Sequence, residues 1–150
     1  MLSAKEMSDR LEIQDLFTRY CFAIDDRDWD ALDDMFTADA QIDYTATGGS
    51  SGSLPEMKEW LAQALAPFTM SQHMVSLPRL EISGDTATSR MILFNPMMME
   101  DADGNQSTFF VGVWYHDTLV HTAAGWRISH RSQKLAYTHA TANAKGVRTV

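Results

Sequence analysis

The sequence predicts a single α+β domain in which helices and a curved antiparallel sheet enclose a small-molecule pocket. Two observations carry this. Apolar residues recur at helical spacing up to about Phe68, and from Met74 onward extended segments alternate with turn residues, so helices precede strands. The length of 150 residues fits one domain with a core that needs no staples.

Each element has its own signal. Ser3 followed by Glu6 marks a helix start. Ile13, Leu16, Phe17, Tyr20, Cys21 and Ile24 then form one helical stripe. Asp26-Arg27-Asp28 ends that helix, and Trp29, Leu32, Met35 and Phe36 mark a short second one. Ala40 to Thr45 alternates as a strand, and Gly48 to Ser53 reads as a loop. Pro55 sits at the start of a third helix, whose apolar face is Met57, Trp60, Leu61, Ala64, Leu65 and Phe68. Extended segments follow at Met74–Ile82, Thr86–Phe94, about Ser107–Val120 and Trp126–Leu135, joined by turns at Ser83–Asp85, Asp101–Asn105 and Thr122–Gly125. From Tyr137 onward the chain reads as a tail or a partner-dependent arm.

Composition narrows the function. A formal charge of −8, with the 12 basic residues scattered, argues against nucleic acid or an anionic membrane as partner. The single cysteine, Cys21, excludes an internal disulfide framework and fits a reducing cytoplasm. The first ten residues lack the apolar run of a signal peptide, and no segment reaches membrane-span length.

Among the polar residues Asp25 is the most informative. It shares a helix face with Phe17 and Cys21, and a carboxylate on an apolar face needs a partner. It either caps the helix or pairs with a base. His73, at the start of the first long extended segment, is one such base, although spacing alone does not bring the two together. Tyr44 has the apolar parity of its strand, so its hydroxyl points inward to a partner or a ligand. Arg131 has the opposite parity to Trp126 and Ile128, which requires either a bulge or a sheet covered on both faces. Asp101-Ala102-Asp103-Gly104-Asn105 lacks the closing Glu of a calcium loop and reads as a hairpin turn. His116, Asp117 and His121 repeat no metal-ligand spacing, and no metal or cofactor is expected.

Several strings resemble the SnoaL-like branch of the nuclear-transport-factor-2 superfamily over about residues 8 to 136. Ile13-Gln14-Asp15-Leu16-Phe17 with Asp25, Gly104-Asn105-Gln106-Ser107, and Gly125-Trp126-Arg127-Ile128-Ser129-His130-Arg131 resemble hexachlorocyclohexane dehydrochlorinase. Asp28-Trp29-Asp30-Ala31-Leu32 and Ile42-Asp43-Tyr44 resemble scytalone dehydratase, and Gln72-His73 resembles both. The resemblance implies a cone of strongly bent, mixed or antiparallel sheet closed by N-terminal helices. It also implies an Asp25–His73 dyad, Arg131 on the leaving group or oxyanion, and Tyr44 on a substrate oxygen or water. This chain departs from both enzymes. Tyr20 stands where the dehydrochlorinase has a lysine, Ile24 where the dehydratase has a tyrosine, and Met97 where the dehydratase has its second histidine.

The expected activity is that of a cofactor-free lyase of the dehydratase or dehydrohalogenase type. His73 would abstract a proton from a small cyclic, mostly apolar substrate held among Tyr20, Tyr44 and Met97. An isomerase or cyclase using the same base, or a ligand-binding module without turnover, would use the same pocket. Large apolar residues on both parities of Phe109 to Tyr115 predict a homodimer or homotrimer.

Overall fold

A computed structural model describes residues 1–141. Helix α1 (Ala4–Asp25) opens on Ser3, whose hydroxyl accepts the Glu6 N–H at 3.1 Å. Its buried stripe is the predicted one, from Ile13 to Ile24, with one polar addition, Asp9. Asp9 accepts the Trp126 indole N–H at 3.2 Å and the Lys5 ammonium at 2.9 Å, which ties α1 to the last strand. The helix stops because Arg27 takes a left-handed backbone conformation (φ 61°) and its guanidinium caps the Ile24 carbonyl at 2.9 Å.

The predicted second helix is a single 3-10 turn, Asp30–Asp34, and Phe36 belongs instead to strand β1 (Phe36–Asp43). Its acid-rich sequence favours local side-chain bonds over a longer helix: the Asp28 carboxylate accepts the Ala31 N–H at 3.2 Å. Tyr44 follows β1 rather than lying in it, and opens a 3-10 turn, Thr45–Thr47. A short strand β2 (Ser51–Ser53) leads into α2 (Leu54–Leu65), which a reciprocal Ser53–Glu56 capping box and Pro55 in the first turn initiate.

The rest is sheet: β3 (Phe68–Ser71), β4 (Met74–Val75), β5 (Arg79–Ser83), β6 (Thr86–Glu100), β7 (Gln106–Thr122) and β8 (Gly125–Ala140). The extended segment expected at Met74–Ile82 is thus two strands separated by the Pro78 region. Residues 137–140, expected in a tail, continue β8 opposite Phe109 to Gly112. The remainder of that expected tail, 142–150, lies outside the described residues. Strand β6 runs on past the predicted end at Phe94, through Pro96. The Pro96 carbonyl accepts the Gln72 N–H at 3.0 Å. The amide hydrogen that proline lacks would face the same side, the gap between β3 and β4, where no ladder bond is lost.

The eight strands form one open sheet in the order β2-β1-β8-β7-β6-β3, with β4 and β5 also on β6. It is mixed, because β1 runs parallel to β8 while the other pairs are antiparallel. One irregularity decides the interior. Thr118 pairs with His130 and Leu119 with Ile128, so Ser129 is an extra residue in β8. This bulge returns Arg131 to the buried side shared by Trp126 and Ile128, which settles the parity conflict in favour of a bulge. Together α1, α2 and the concave sheet enclose the core, and no helix among the described residues is long and apolar enough to cross a membrane.

Candidate active site

A cavity of about 220 Å³ opens between α2, the end of α1 and the concave face of β6, β7 and β8. Its wall is mostly apolar, including Ile24, Trp60, Leu93, Phe109 and Val113. Polar groups lie in three places: His73 and Asn95, the tyrosines Tyr20, Tyr44 and Tyr115, and Thr47, whose hydroxyl bonds to Gln133 at 2.9 Å. The Gly48-Gly49 loop also lines it, and glycine is required at 49, where a Cβ would lie 2.8 Å from both the Trp60 ring and the Tyr44 carbonyl.

Asp25 and His73 meet, as the resemblance implies. His73 sits in the gap between β3 and β4, with its Nδ1 2.7 Å from Asp25 Oδ1 and its backbone N–H donating to Asp25 Oδ2 at 2.8 Å. Ser71 Oγ lies 3.0 Å from Asp25 Oδ1 and accepts the Arg27 guanidinium at 2.9 Å. Because Arg27 only donates, the Ser71 hydroxyl hydrogen goes to Asp25. Asp25 therefore faces three donors. Burial alone would push its carboxyl up, but the His73 ring and backbone N–H, with Ser71, outweigh it and hold Asp25 below the ordinary carboxylate range. An ionised Asp25 accepts the hydrogen on Nδ1, and in the neutral imidazole the lone pair is then on Nε2. That side of His73 meets the cavity, where Asn95 Nδ2 approaches to 3.4 Å.

The second polar group is built around Arg131. The Tyr20 and Tyr44 hydroxyls bond to each other at 2.7 Å. Burial pushes the Tyr44 and Tyr115 phenols well up, so both remain protonated donors. Arg131 is fully buried, with its guanidinium 4.2 Å from the Tyr20 ring centroid and 4.3 Å from that of Tyr115. It pairs with Asp117 through Nε at 2.7 Å and Nη2 at 3.0 Å. Burial alone would lower the guanidinium pKa, and Asp117 more than reverses this, so Arg131 stays charged. It does not line the cavity. The expected direct contact of Arg131 with a leaving group is therefore corrected: the bulge turns it into the core, where it packs against the Tyr20 and Tyr115 rings that line the cavity.

Tyr20, Tyr44 and Met97 line the cavity, while Asp25 stands behind His73. Sequence reasoning missed Asn95, although it shares the inward parity of Met91, Leu93 and Met97. It also missed Ser71 and Arg27, for which no pattern pointed to Asp25. Burial pushes the Cys21 thiol up to about 11, which makes it unreactive. Asp101 accepts the Asp103 and Asn105 N–H groups at 2.9 Å, so that loop is a hairpin turn. Among the described residues no group of three or more His, Cys, Asp or Glu is placed to hold a metal.

A SnoaL-like domain profile matches residues 5–132. The chain belongs to the SnoaL-like domain family. It is 50% identical over 131 residues to Rv2910c of Mycobacterium tuberculosis, an uncharacterized protein, covering 87% of this chain and 88% of that one. A candidate scytalone dehydratase of Novosphingobium aromaticivorans superposes with a TM-score of 0.78 at 17% identity, covering 89% of this chain and 87% of that one. A type 2 hexachlorocyclohexane dehydrochlorinase, LinA, gives 0.76 at 20%, covering 96% and 94%. At these identities the two structures establish a shared nuclear-transport-factor-2-like fold for this SnoaL-like chain.

Proposed function

We propose that this SnoaL-like domain is a cofactor-independent lyase acting on a small cyclic, mostly apolar substrate. The supporting observation is the Asp25–His73 contact at 2.7 Å, with the far side of the imidazole at an apolar cavity. A cavity of roughly 150 Å³ takes benzene, so about 220 Å³ suits one or two rings. His73 Nε2 removes a proton from an activated carbon, and the C–H electron pair becomes the new C=C bond. The bond to the leaving group breaks with its electrons. A departing hydroxyl takes the proton back from the imidazolium and leaves as water. Asp25 stabilises that imidazolium and holds the tautomer. Tyr44 and Tyr20 position a substrate oxygen, with the Arg131 charge polarising their hydroxyls from behind. No residue role requires a metal or an organic cofactor.

The test uses 3-hydroxycyclohexanone and ring-extended analogues, whose dehydration products are enones that absorb in the ultraviolet. Wild-type protein is expected to form enone above background, and His73→Ala to return to background with a native circular dichroism spectrum. Loss of activity that merely tracks unfolding would remove the dyad reading.

The outer face of the sheet supports a homodimer or homotrimer. Phe109, Val111, Val113 and Tyr115 line the cavity, while Phe110 lies on the other parity, stacked between Phe94 at 5.8 Å and His139 at 6.3 Å. Ile92, 54% exposed, extends this outer apolar face for a second copy to cover. A monomer by light scattering at micromolar concentration would exclude the assembly. The acidic surface and the single buried cysteine suit the cytoplasm.

A further inference from the structure

We infer that Asn95 is a specificity-determining residue that selects substrates with a hydroxyl next to the proton His73 removes, which makes that hydroxyl the leaving group. This rests on the lyase reading of the same cavity and names its substrate class as cyclic alcohols.

With His73 in the neutral form that a base requires, each hydrogen bond from Arg27 to Asn95 has one direction. Arg27 donates to Ser71, Ser71 donates to Asp25, and His73 Nδ1 donates to Asp25. Nε2 is then an acceptor, so the Asn95 atom 3.4 Å away must be Nδ2 and not Oδ1. Oδ1 is left over. It is buried and has no partner, in a residue only 6% exposed that lines the cavity. A buried acceptor without a donor is costly, and its neighbours in the cavity wall, Leu93 and Met97, offer none.

A ligand hydroxyl meets this need in both directions. Its hydrogen goes to Asn95 Oδ1, and its oxygen can take the Nδ2 hydrogen released as the substrate C–H displaces Asn95 from Nε2. A chloride leaving group has no hydrogen to give and leaves Oδ1 unpaired. The amide therefore discriminates between water and halide elimination at a point where the dyad alone is indifferent. A site with a buried group awaiting a hydroxyl rejects analogues that lack it more strongly than an apolar site rejects an extra methylene.

The experiment measures binding of 2-tetralol and of tetralin by calorimetry. Neither has a carbonyl-activated C–H bond, so the result does not depend on turnover. In wild type, the affinity ratio of tetralol to tetralin is expected to exceed that in Asn95→Leu by about tenfold or more. Asn95→Ala serves in the same comparison if the leucine variant does not fold. The wild-type Asn95 side-chain amide resonance is expected to move with tetralol and not with tetralin. A ratio unchanged by either substitution, or no measurable binding of either probe to wild type, overturns the inference. If the ratio behaves as expected but no enone forms from 3-hydroxycyclohexanone, the lyase reading fails while the hydroxyl selection stands. If enone forms but the ratio is flat, only the role of Asn95 fails.

Discussion

Asp25 and Asp117 each accept from a ring or guanidinium nitrogen at 2.7 Å, one at the end of a helix and the other in the middle of a strand. Their surroundings separate what the two pairs can do. Arg131 is fully buried against the rings of Tyr20 and Tyr115, Asp117 is buried beside it with Ser89 Oγ donating at 3.2 Å, and neither lines the cavity. His73 has Asp25 on one side and a cavity on the other, where the second nitrogen of the neutral ring offers a lone pair. A sealed pair holds structure, whereas a pair with one open valence can exchange a proton. The difference arises from backbone irregularity: a bulge turns Arg131 in, and a break between β3 and β4 lets His73 reach the cavity.

The largest expected effect falls on the open pair. In a Ser-His-Asp triad, replacing Asp by Asn costs about 10⁴-fold in turnover because the amide supports the wrong tautomer. Asp25→Asn is expected to act similarly on enone formation while leaving probe binding largely intact. Adding His73→Ala should cost little more, since the two residues act as one unit. Multiplying losses in the double variant would break the dyad assignment. The sealed pair should respond in stability instead. Asp117→Asn leaves a buried guanidinium without its counter-charge, a change that costs about 3–5 kcal/mol. Urea denaturation checks this. The combined Asp117→Leu, Arg131→Met replacement should recover much of the loss, because apolar side chains of similar volume can replace a buried pair. If Asp117→Asn is as stable as wild type, the two pairs do not differ in the way described.

The legibility of the two pairs in the sequence also differed. Helical periodicity placed Asp25 on the face of α1 that carries Phe17 and Cys21, and strand alternation placed Tyr44 inward, because both signals are local. The meeting of Asp25 with His73 joins residues 48 apart, and only the resemblance indicated it. Arg131 could be assigned to a strand but not to a face, since one inserted residue reverses parity and leaves no clear mark in composition. Asn95 was lost for a related reason. The extended segment was expected to end at Phe94, one residue short of it, whereas Pro96 falls beside a gap in the neighbouring strands and β6 continues. Asp9 was passed over because a carboxylate in the first turns of a helix is ordinary at the surface, and its indole partner is 117 residues away.

A smaller effect probes how the open pair is supported. Ser71→Ala removes a donor from Asp25 and an acceptor from Arg27. The expected cost is about 1 kcal/mol in stability, the usual size for one hydrogen bond. Turnover should fall about tenfold through looser positioning of the imidazole. Ser71→Thr keeps the hydroxyl and should restore turnover. An equal loss in both variants would mean that packing, not the Arg27–Ser71–Asp25 chain, supports the site.

The smallest expected effect is in the pH dependence of stability, and it too distinguishes Asp25 as a charged partner. The native carboxyl of Asp25 lies below its unfolded value, because the donors from His73 and Ser71 outweigh burial. In the pH range between those two values the unfolded chain binds more protons than the native one, so stability rises with pH there. The contribution is fully present above the unfolded pKa, near 3.9, and is lost as pH falls through the native pKa. Asp25→Asn has no such proton to gain. Its stability deficit relative to wild type should therefore be largest near neutrality and should shrink as pH drops below about 4. Chemical denaturation of both proteins at neutral pH, pH 4 and pH 3 measures the difference. A deficit that stays constant over this range would show that the substitution acts by shape alone, and that Asp25 does not carry its charge into the folded dyad.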